Sequence, residues 1–228
     1  MAVALRCFEL VDGHAEIGAL VKDGDTVSAG TQLATISGDA RSILSAERLA
    51  LNLLGQLSGV ATATRMLVDR VRGTGAKIID TRKTVPLLRE LQKMAVVAGG
   101  GTNHRMGLFD QVLIKDNHIE AVGSPAEAVR RARTRVGEEI TVEVEIERLE
   151  ELEEVIKAGA DIVMLDNMAP SAMRAAVEIA DGRVLLEASG GITADTVREV
   201  AESGVDLISI GGITHSSPSL DVALDFGA

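Results

Sequence analysis

The residues with the clearest chemical potential lie between Asp80 and His118, where positive charge is concentrated. Lysines and arginines outnumber acids in this segment, whereas the whole chain of 228 residues carries a net charge of −11. Five cationic side chains fall at predicted strand ends or in a glycine-rich loop: Arg82, Lys83, His104, Arg105 and Lys115. Because like charges repel one another, such a cluster is favoured where an anion offsets it. The segment therefore predicts an anion-binding active site.

Two glycine-rich loops later in the chain are candidates for a phosphate site. Ser189-Gly190-Gly191 precedes a predicted helix that starts at Thr193, and Gly211-Gly212 precedes Thr214-His215. Glycine allows backbone N–H groups to approach an anion, and a helix N-terminus adds a favourable dipole. Either pair alone could be only a tight turn. Together, at matched positions, they predict a phosphate site.

Two carboxylates, Glu145 and Asp166, end consecutive predicted strands and could face one another. Their hard oxygen atoms suit Mg²⁺ held on a substrate phosphate. General acid–base catalysis and charge balance for nearby lysines and arginines remain alternatives. Three roles remain open for His118: a metal ligand, a general base, or a partner in a structural hydrogen bond. No Cys/His arrangement has the spacing of a zinc site.

Short apolar runs alternate with helical patterns from Lys77 onward, which predicts repeated βα units and a parallel sheet. The runs span residues 77–80, 112–115, 140–145, 161–166, 183–189 and 206–211. A barrel is favoured over a doubly wound sheet because chemically active residues end nearly every run. In a barrel all these ends meet at one mouth, whereas in an open sheet only those near a switch point meet.

The first 72 residues follow a different pattern. They predict a helix over 2–10, two or three short strands over 15–36 and a long helix over 45–72. Two or three strands cannot bury a face on their own. We therefore expect either a partner subunit or residues before Met1 to complete this region. The predicted division is a partial N-terminal domain over 1–72 and a catalytic α/β barrel over 73–228.

Composition excludes several classes of protein. Strong negative charge and the lack of Trp and Tyr argue against a nucleic-acid partner. The single cysteine, Cys7, excludes an internal disulfide framework and fits a reducing compartment. The most apolar stretch, around 43–68, contains Glu47, Arg48 and Arg65, so a membrane span is not predicted. A soluble cytoplasmic protein is expected.

In their order and content these motifs resemble the quinolinate phosphoribosyltransferase family, also called nicotinate-nucleotide pyrophosphorylase (carboxylating). The resemblance covers essentially the whole chain. The stretches that carry it are residues 47–48, 57–62, 80–84, 99–105, 114–118, 142–145, 165–167, 188–191 and 211–215. The block from Asp80-Thr-Arg-Lys to Lys115-Asp-Asn-His118 is the most specific part.

The resemblance implies an α/β fold: a TIM-like incomplete α/β barrel, of the type II phosphoribosyltransferase kind, with a smaller, truncated N-terminal α/β sandwich domain. It also implies a reaction in which phosphoribosyl pyrophosphate and quinolinate give nicotinate mononucleotide, pyrophosphate and CO₂, a step of NAD biosynthesis. A homo-oligomer, either a dimer or a hexamer of dimers, is implied as well, with an active site shared between subunits.

Roles for individual residues come from the same resemblance. Quinolinate would be held by Thr81, Arg82, His104, Arg105 and Lys115, with Arg48 reaching the pocket from a neighbouring subunit. Lys83 would act on the ribose and pyrophosphate together with Glu145 and Asp166, through Mg²⁺. The 5′-phosphate would be held by Ser189, Gly190, Gly191, Gly211, Gly212 and His215. Lys83, Lys115, Glu145 and Asp166 are the expected catalytic residues.

Two other functions fit the same sequence. One is a relative of the same fold that acts on another substrate, and the other is an inactive, truncated oligomerisation partner. Arg105 and the Lys115–His118 motif favour the dicarboxylate substrate.

Overall fold

A computed structural model describes residues 1–227, and its N-terminal part contains two helices and a small sheet. Helix α1 spans Ala2–Val11, strands β1 and β2 span Glu16–Ala19 and Ala34–Ser37, and helix α2 spans Ala40–Arg70. The strands pair antiparallel, with Glu16 opposite Ser37. The predicted first helix and the short strands are confirmed. Helix α2 begins five residues before the predicted start because Asp39 caps it by accepting the Ser42 backbone N–H.

These N-terminal elements share a small core of their own. Ala4 and Phe8 of α1 pack against Ile43, Ala46 and Ala50 of α2. Small alanines on the facing sides allow the two helices to approach closely. The rest of α2 continues towards the larger part of the molecule, where Val60 and Leu67 join the main core. Helix α2 therefore connects both parts of the fold.

Six parallel strands form the larger sheet, and their order shows an incomplete barrel. They are β3 (Lys77–Ile79), β4 (Val112–Ile114), β5 (Val142–Ile146), β6 (Ile162–Asp166), β7 (Leu185–Ser189) and β8 (Leu207–Ser209). Their order is β3-β8-β7-β6-β5-β4, so β3 and β4 are the two edges. The predicted incomplete barrel is confirmed. Thr102, in the glycine-rich loop, makes an isolated parallel bridge to Ile79 at one edge.

Helices alternate with these strands. They are α3 (Arg89–Ala98), α4 (Asp116–Val122), α5 (Pro125–Val136), α6 (Leu152–Lys157), α7 (Pro170–Ala180), α8 (Val197–Ala201) and α9 (Gly212–His215). Helix α5 begins at Pro125 because the Ser124 hydroxyl accepts the Glu127 N–H and Pro125 occupies the first turn. No helix in the described chain is long and apolar enough to span a membrane.

The main core lies between the sheet and its helices and is built from aliphatic side chains. Val144, Val163, Ala188 and Ile208 of neighbouring strands are fully buried. Strand β5 is buried at every position, including Glu143 and Glu145. Carboxylates inside a barrel cost free energy unless they are paired, protonated or used. These two residues therefore indicate that the barrel interior serves more than packing.

The chain after Ser217 packs onto α2 at two glycines. The Leu220 N–H donates to the Gly55 carbonyl at 3.0 Å. A β carbon at Gly59 would lie 2.0 Å from the Pro218 carbonyl oxygen. Gly59→Ala is expected to lower the free energy of unfolding by about 1–3 kcal/mol, because the added methyl forces the two backbones apart. Urea denaturation would measure this change.

Gly75→Ala is the matched control for that substitution, since a β carbon at Gly75 would meet nothing within 4 Å. An unchanged free energy of unfolding for Gly59→Ala would mean that the C-terminal segment does not pack on α2 in solution.

Candidate active site

The mouth of the barrel collects segments from the carboxyl ends of the strands. In a parallel barrel these ends lie on one face, where active sites form. The segments there are Thr81–Lys83, Lys115, Glu145, Asp166, Ser189–Gly191 and Gly211–His215. Strand register places Asp166 opposite Ser189. Parallel strand order therefore brings together residues that lie far apart in the sequence.

At the junction of β3 and β8, four of the predicted site residues lie together. A β carbon at Gly211 would be 3.1 Å from Cδ of Lys83 and 3.4 Å from both Nε2 of His215 and Oγ1 of Thr81. The Thr81 hydroxyl accepts the Lys83 backbone N–H at 3.0 Å, which orders the loop. A lysine and an imidazole beside a glycine-rich turn can hold a phosphate group.

Arg82 and Arg105 form a strongly positive part of the site, and both side chains are half-buried. One Arg105 nitrogen donates to the Gln111 carbonyl at 3.2 Å. In the described residues Nε of Arg82 is buried without a hydrogen-bond partner. Burial lowers the pKa of Arg105, and the neighbouring Arg82 charge lowers it further. Two guanidinium groups that repel each other suit a ligand with planar carboxylates.

Arg89 of α3 supports the loop that carries Arg82. Its guanidinium donates to the Thr84 hydroxyl at 3.1 Å, the Arg82 carbonyl at 3.1 Å and the Met106 carbonyl at 3.2 Å. Arg89 thus links the segment after β3 to the loop that contains Arg105. Arg89 was not among the site residues predicted from the sequence. Its spacing from Gln92 and Lys93, at i+3 and i+4, was the available signal for a polar face on α3.

Lys115, Glu145 and Asp166 supply further charge at the carboxyl ends of β4, β5 and β6. Lys115 Nζ lies 2.8 Å from Oε2 of Glu145, which is largely buried. Asp166 accepts the Asn167 side-chain N–H at 2.7 Å. The donor chemistry fits Mg²⁺, which commonly takes one or two protein carboxylates and completes its shell with water and substrate phosphates. Lys115 occupies one Glu145 oxygen.

Gly190 is required where the β7 loop passes the β6 loop. It has φ of +95°, and a β carbon there would lie 2.2 Å from Oδ1 of Asn167. The Asn167 backbone N–H donates to the Ser189 carbonyl at 2.9 Å, which joins the two loops. Gly191 also has a positive φ. Any side chain at Gly190 would displace Asn167 and the loop that it anchors.

His104 and two buried glutamates form a polar cluster beneath the mouth. Nε2 of His104 lies 3.0 Å from Glu143 and 3.6 Å from Glu187, while Nδ1 accepts the Arg105 backbone N–H at 2.6 Å. This arrangement places the imidazole proton on Nε2. Gln111 donates to Glu143 at 2.6 Å. Both nitrogens of His104 therefore have partners, and the ring anchors the backbone of Arg105.

Burial raises the pKa of both glutamates. The pKa of Glu143 rises to about 7, and that of Glu187 rises to about 8 because the Glu143 charge adds to the cost of burial. Neither oxygen of Glu187 finds a donor among the described residues. A protonated Glu187 would itself donate to Glu143. One proton held between the two carboxyls removes the cost of two adjacent buried charges.

Glu187 should make the fold less stable as pH rises. Between about pH 5 and pH 8 the unfolded chain has lost this proton, since the ordinary value is near 4.5, whereas the folded chain retains it. The stability that Glu187 contributes is therefore complete below its pKa in the unfolded chain, and it is lost as pH rises through its pKa in the folded chain. Glu187→Gln is expected to reduce the fall in unfolding free energy by about 2–4 kcal/mol. Urea denaturation across this range would measure it.

Glu153→Gln is the control for this pH dependence. Glu153 is partly exposed and pairs with Arg183 and Lys157, which lower its pKa to about 2. The pKa of Glu153 lies below the tested pH range in both the folded and the unfolded chain. Glu153→Gln should therefore leave the slope of unfolding free energy against pH unchanged. An unaltered slope in Glu187→Gln would mean that Glu187 is already ionised in the folded protein.

Asp80 lies deeper than the mouth and has a structural role. It is fully buried, pairs with the buried Lys93 and accepts the His104 backbone N–H at 2.9 Å. Lys93 also donates to the His104 carbonyl at 2.8 Å. Burial raises the pKa of Asp80, and Lys93 partly offsets the rise. The pair fixes the backbone that leads into Arg105.

Lys93, Glu143 and Glu187 also belong to this site and were not predicted from the sequence. A charged residue at the second position of Val142-Glu-Val-Glu145 was the signal for an interior carboxylate, because alternate residues of a barrel strand face inward. Glu187 has the same signal within an otherwise apolar strand. Nothing in the sequence placed these two glutamates beside His104.

Two further candidates lie at the edge of the site. Arg48, on α2, is exposed, and its ion-pair partner within residues 1–227 is the adjacent Glu47, at 3.6 Å. His118 accepts the Lys115 backbone N–H at 2.9 Å through Nδ1 and so stabilises the start of α4. Of the three roles left open for His118, this hydrogen bond corresponds to the structural one.

Solved relatives define the class to which this fold and mouth belong. NadC from Streptococcus pyogenes superposes with a TM-score of 0.93 at 42% identity, covering 97% of this chain and 78% of that one. The nicotinate-nucleotide pyrophosphorylase from Francisella tularensis superposes with a TM-score of 0.92 at 44% identity, covering 96% of this chain and 78% of that one. The fold is that of type II phosphoribosyltransferases, a small N-terminal domain with a barrel-like C-terminal domain.

Sequence comparison defines the family. The quinolinate phosphoribosyl transferase N-terminal domain profile matches residues 1–58, and the C-terminal domain profile matches residues 60–225. The chain belongs to this family. The two profiles meet within α2, whereas the predicted boundary at 72/73 follows that helix and stays a prediction.

Curated relatives carry names from the same family. The probable nicotinate-nucleotide pyrophosphorylase [carboxylating] of Bacillus subtilis (strain 168) is 46% identical over 98% of this chain and 78% of its own length. The nicotinate-nucleotide pyrophosphorylase [carboxylating] of Mycobacterium leprae (strain TN) is 46% identical over 94% and 76%.

Proposed function

We propose that this protein transfers the phosphoribosyl group of phosphoribosyl pyrophosphate to quinolinate, giving nicotinate mononucleotide, pyrophosphate and CO₂. The observation that carries the proposal is the half-buried Arg82–Arg105 pair beside the corner formed by Lys83, Gly211 and His215. The first suits a dicarboxylate, and the second suits the phosphorylated donor. The names of relatives at 40–46% identity support the same reaction.

Quinolinate would occupy the side of the mouth lined by Arg82 and Arg105. The free Nε of Arg82 supports a role in binding one carboxylate. Thr81 and Lys115 follow the two edge strands, β3 and β4, and would complete the pocket. His104 would act from below, because its Nδ1 holds the Arg105 backbone and its Nε2 faces Glu143. A direct bond from His104 to the substrate would require exchange of one of these partners.

Phosphoribosyl pyrophosphate would bind across the adjoining part of the mouth. The 5′-phosphate would meet backbone N–H groups of Ser189–Gly191 and Gly211–Gly212, with His215 beside them. Lys83 would contact the pyrophosphate. Glu145 and Asp166 would hold Mg²⁺, which supplies charge neutralisation for the leaving group when bound.

The chemistry of the reaction needs positioning more than acid–base catalysis. The pyridine nitrogen attacks C1 of the ribose as the bond to pyrophosphate breaks, and Lys83 stabilises the negative charge that departs. The alkylated nitrogen is then positive. Its positive charge stabilises the electron pair that remains on the adjacent ring carbon when the neighbouring carboxylate leaves as CO₂, and that pair then takes a proton to form the C–H bond. Arg82 and Arg105 hold the ring in line with the ribose, which supplies much of the acceleration.

A shared active site is part of the proposal. Arg48 is exposed, and its ion-pair partner in the described chain is the adjacent Glu47, so we propose that it completes the quinolinate pocket of a second copy in a dimer or a hexamer of dimers. A cytoplasmic location is also proposed, supported by the free Cys7.

A steady-state assay with quinolinate, phosphoribosyl pyrophosphate and Mg²⁺ tests the reaction. Formation of nicotinate mononucleotide and one equivalent of CO₂ is expected. A folded oligomer that forms no product with quinolinate, but reacts with nicotinate or another ring acid, would instead be a same-fold enzyme for a different substrate. A folded oligomer that binds neither substrate would be an inactive partner.

A further inference from the structure

A buried glutamine on α3 joins two loops of the mouth. Gln92 is completely buried. Its side-chain N–H donates to the Thr214 carbonyl at 2.5 Å, and its side-chain carbonyl accepts the Val85 N–H at 2.9 Å. Val85 lies two residues after Lys83, and Thr214 precedes His215. One side chain therefore binds the loops that follow both β3 and β8.

The Thr214 hydroxyl makes a second link between these loops. It donates to the Lys83 carbonyl at 2.6 Å and lies 3.0 Å from the Gly211 carbonyl. Thr214 is also fully buried, so water cannot replace these bonds without rearrangement. Gln92 and Thr214 together are called the brace below.

Backbone hydrogen bonds between β3 and β8 stop before the two loops that the brace joins. Strands β3 and β8 are in register up to Ile79 and Ser209, and the Ile210 N–H donates to the Ile79 carbonyl at 3.1 Å. Beyond that point, no backbone–backbone hydrogen bond in the described chain joins residues 81–85 to residues 211–215. The separation of the two loops therefore depends on side chains.

We propose that Gln92 and Thr214 are positioning residues, which fix the distance between Lys83 and the Gly211–His215 loop so that both ends of phosphoribosyl pyrophosphate are held at once. This inference rests on the proposed function. A ligand with a phosphate at one end and a pyrophosphate at the other gains affinity only if both subsites are correctly spaced. A displacement of about 1 Å is enough to weaken such a double contact strongly.

Three substitutions test the brace. Gln92→Met keeps the volume and removes both hydrogen bonds, Thr214→Val removes the hydroxyl, and Thr214→Ser restores it. For Gln92→Met and Thr214→Val, the KM for phosphoribosyl pyrophosphate is expected to rise about tenfold. The dissociation constant of quinolinate should change less than about twofold, and Thr214→Ser should resemble the wild type.

Ligands with one charged end distinguish spacing from local damage. Inorganic phosphate and inorganic pyrophosphate each need one subsite, so their dissociation constants, measured by calorimetry, should stay within about twofold in the same variants. Thr64→Val is the matched control, because the buried Thr64 hydroxyl donates to the Val60 carbonyl at 2.8 Å inside α2 and joins no loops.

The inference is overturned if folded Gln92→Met and Thr214→Val bind phosphoribosyl pyrophosphate like the wild type. It is overturned equally if phosphate and pyrophosphate lose affinity by the same factor as the whole donor. Should the wild type form no nicotinate mononucleotide, the proposed function fails, and direct titration with phosphoribosyl pyrophosphate still decides whether the brace sets the spacing.

Discussion

Arg105→Ala is expected to weaken quinolinate binding by roughly 100- to 1,000-fold, while the affinity for phosphoribosyl pyrophosphate changes less than about threefold. Removing one member of a half-buried, hydrogen-bonded charge pair costs about 2–5 kcal/mol, and each 1.4 kcal/mol is a factor of about ten. The loss should be specific, because Arg105 lies close to Arg82, whereas the residues proposed to bind the phosphorylated donor are Lys83, Gly211 and His215. Calorimetry with each substrate separately would measure both constants.

Two further variants control this prediction. Arg105→Lys keeps the charge but loses the planar pair of donors, so it should recover only part of the affinity. Arg131→Ala removes an exposed arginine that pairs with Glu127 on α5, and it should bind both substrates normally. Equal loss of both substrates in Arg105→Ala would contradict the assignment of Arg105 to the carboxylate pocket.

Mixing Arg48→Ala subunits with Arg105→Ala subunits should restore activity that neither variant has alone. In a symmetric dimer with shared sites, a mixed pair contains one site with both arginines and one site with neither. Random exchange at equal concentrations makes half of the dimers mixed, so about a quarter of wild-type activity is expected. Arg48 is free to make this contact, since its side chain is 75% exposed.

Subunit exchange must be shown independently, for example by mass spectrometry of subunits that carry different tags. Arg41 is a matched control position, because it too is an exposed arginine on α2. Arg41→Ala alone should retain activity. Its mixture with Arg105→Ala should show no more activity than the Arg41→Ala subunits in it contribute. No recovery in an exchanged Arg48→Ala and Arg105→Ala mixture would place Arg48 outside the active site.

Much of the barrel could be predicted from the sequence, because fully buried parallel strands leave a simple pattern. Val112–Ile114, Ile162–Asp166 and Leu185–Ser189 all fall inside the predicted apolar runs. The start of α5 at Ser124 and Pro125 has an equally local cause, because capping depends on neighbouring residues. The start of α2 was missed since its cap, Asp39, precedes a stretch without strong apolar periodicity.

The support of the site was less predictable. Gln92, Lys93 and Arg89 lie on one helix, and each forms bonds to segments whose positions depend on the whole barrel. Glu143 and Glu187 lie on strands separated by β6, so their proximity to His104 follows from barrel curvature and from the loop that carries His104. The spacing of residues along the sequence therefore does not predict the distance from His104 to either glutamate.

The amino-acid sequence was enough to predict which residues would provide the chemistry: the cations between Asp80 and His118, the carboxylates Glu145 and Asp166, and the glycine-rich loops at 189–191 and 211–212. Residue type and position after a buried strand decide that much, because the carboxyl ends of parallel strands share a face. Only the tertiary structure decided how they are held. His104 faces inward to buried glutamates, and Gln92 and Thr214 join the loops, because these contacts arise between segments that meet only when the barrel is formed.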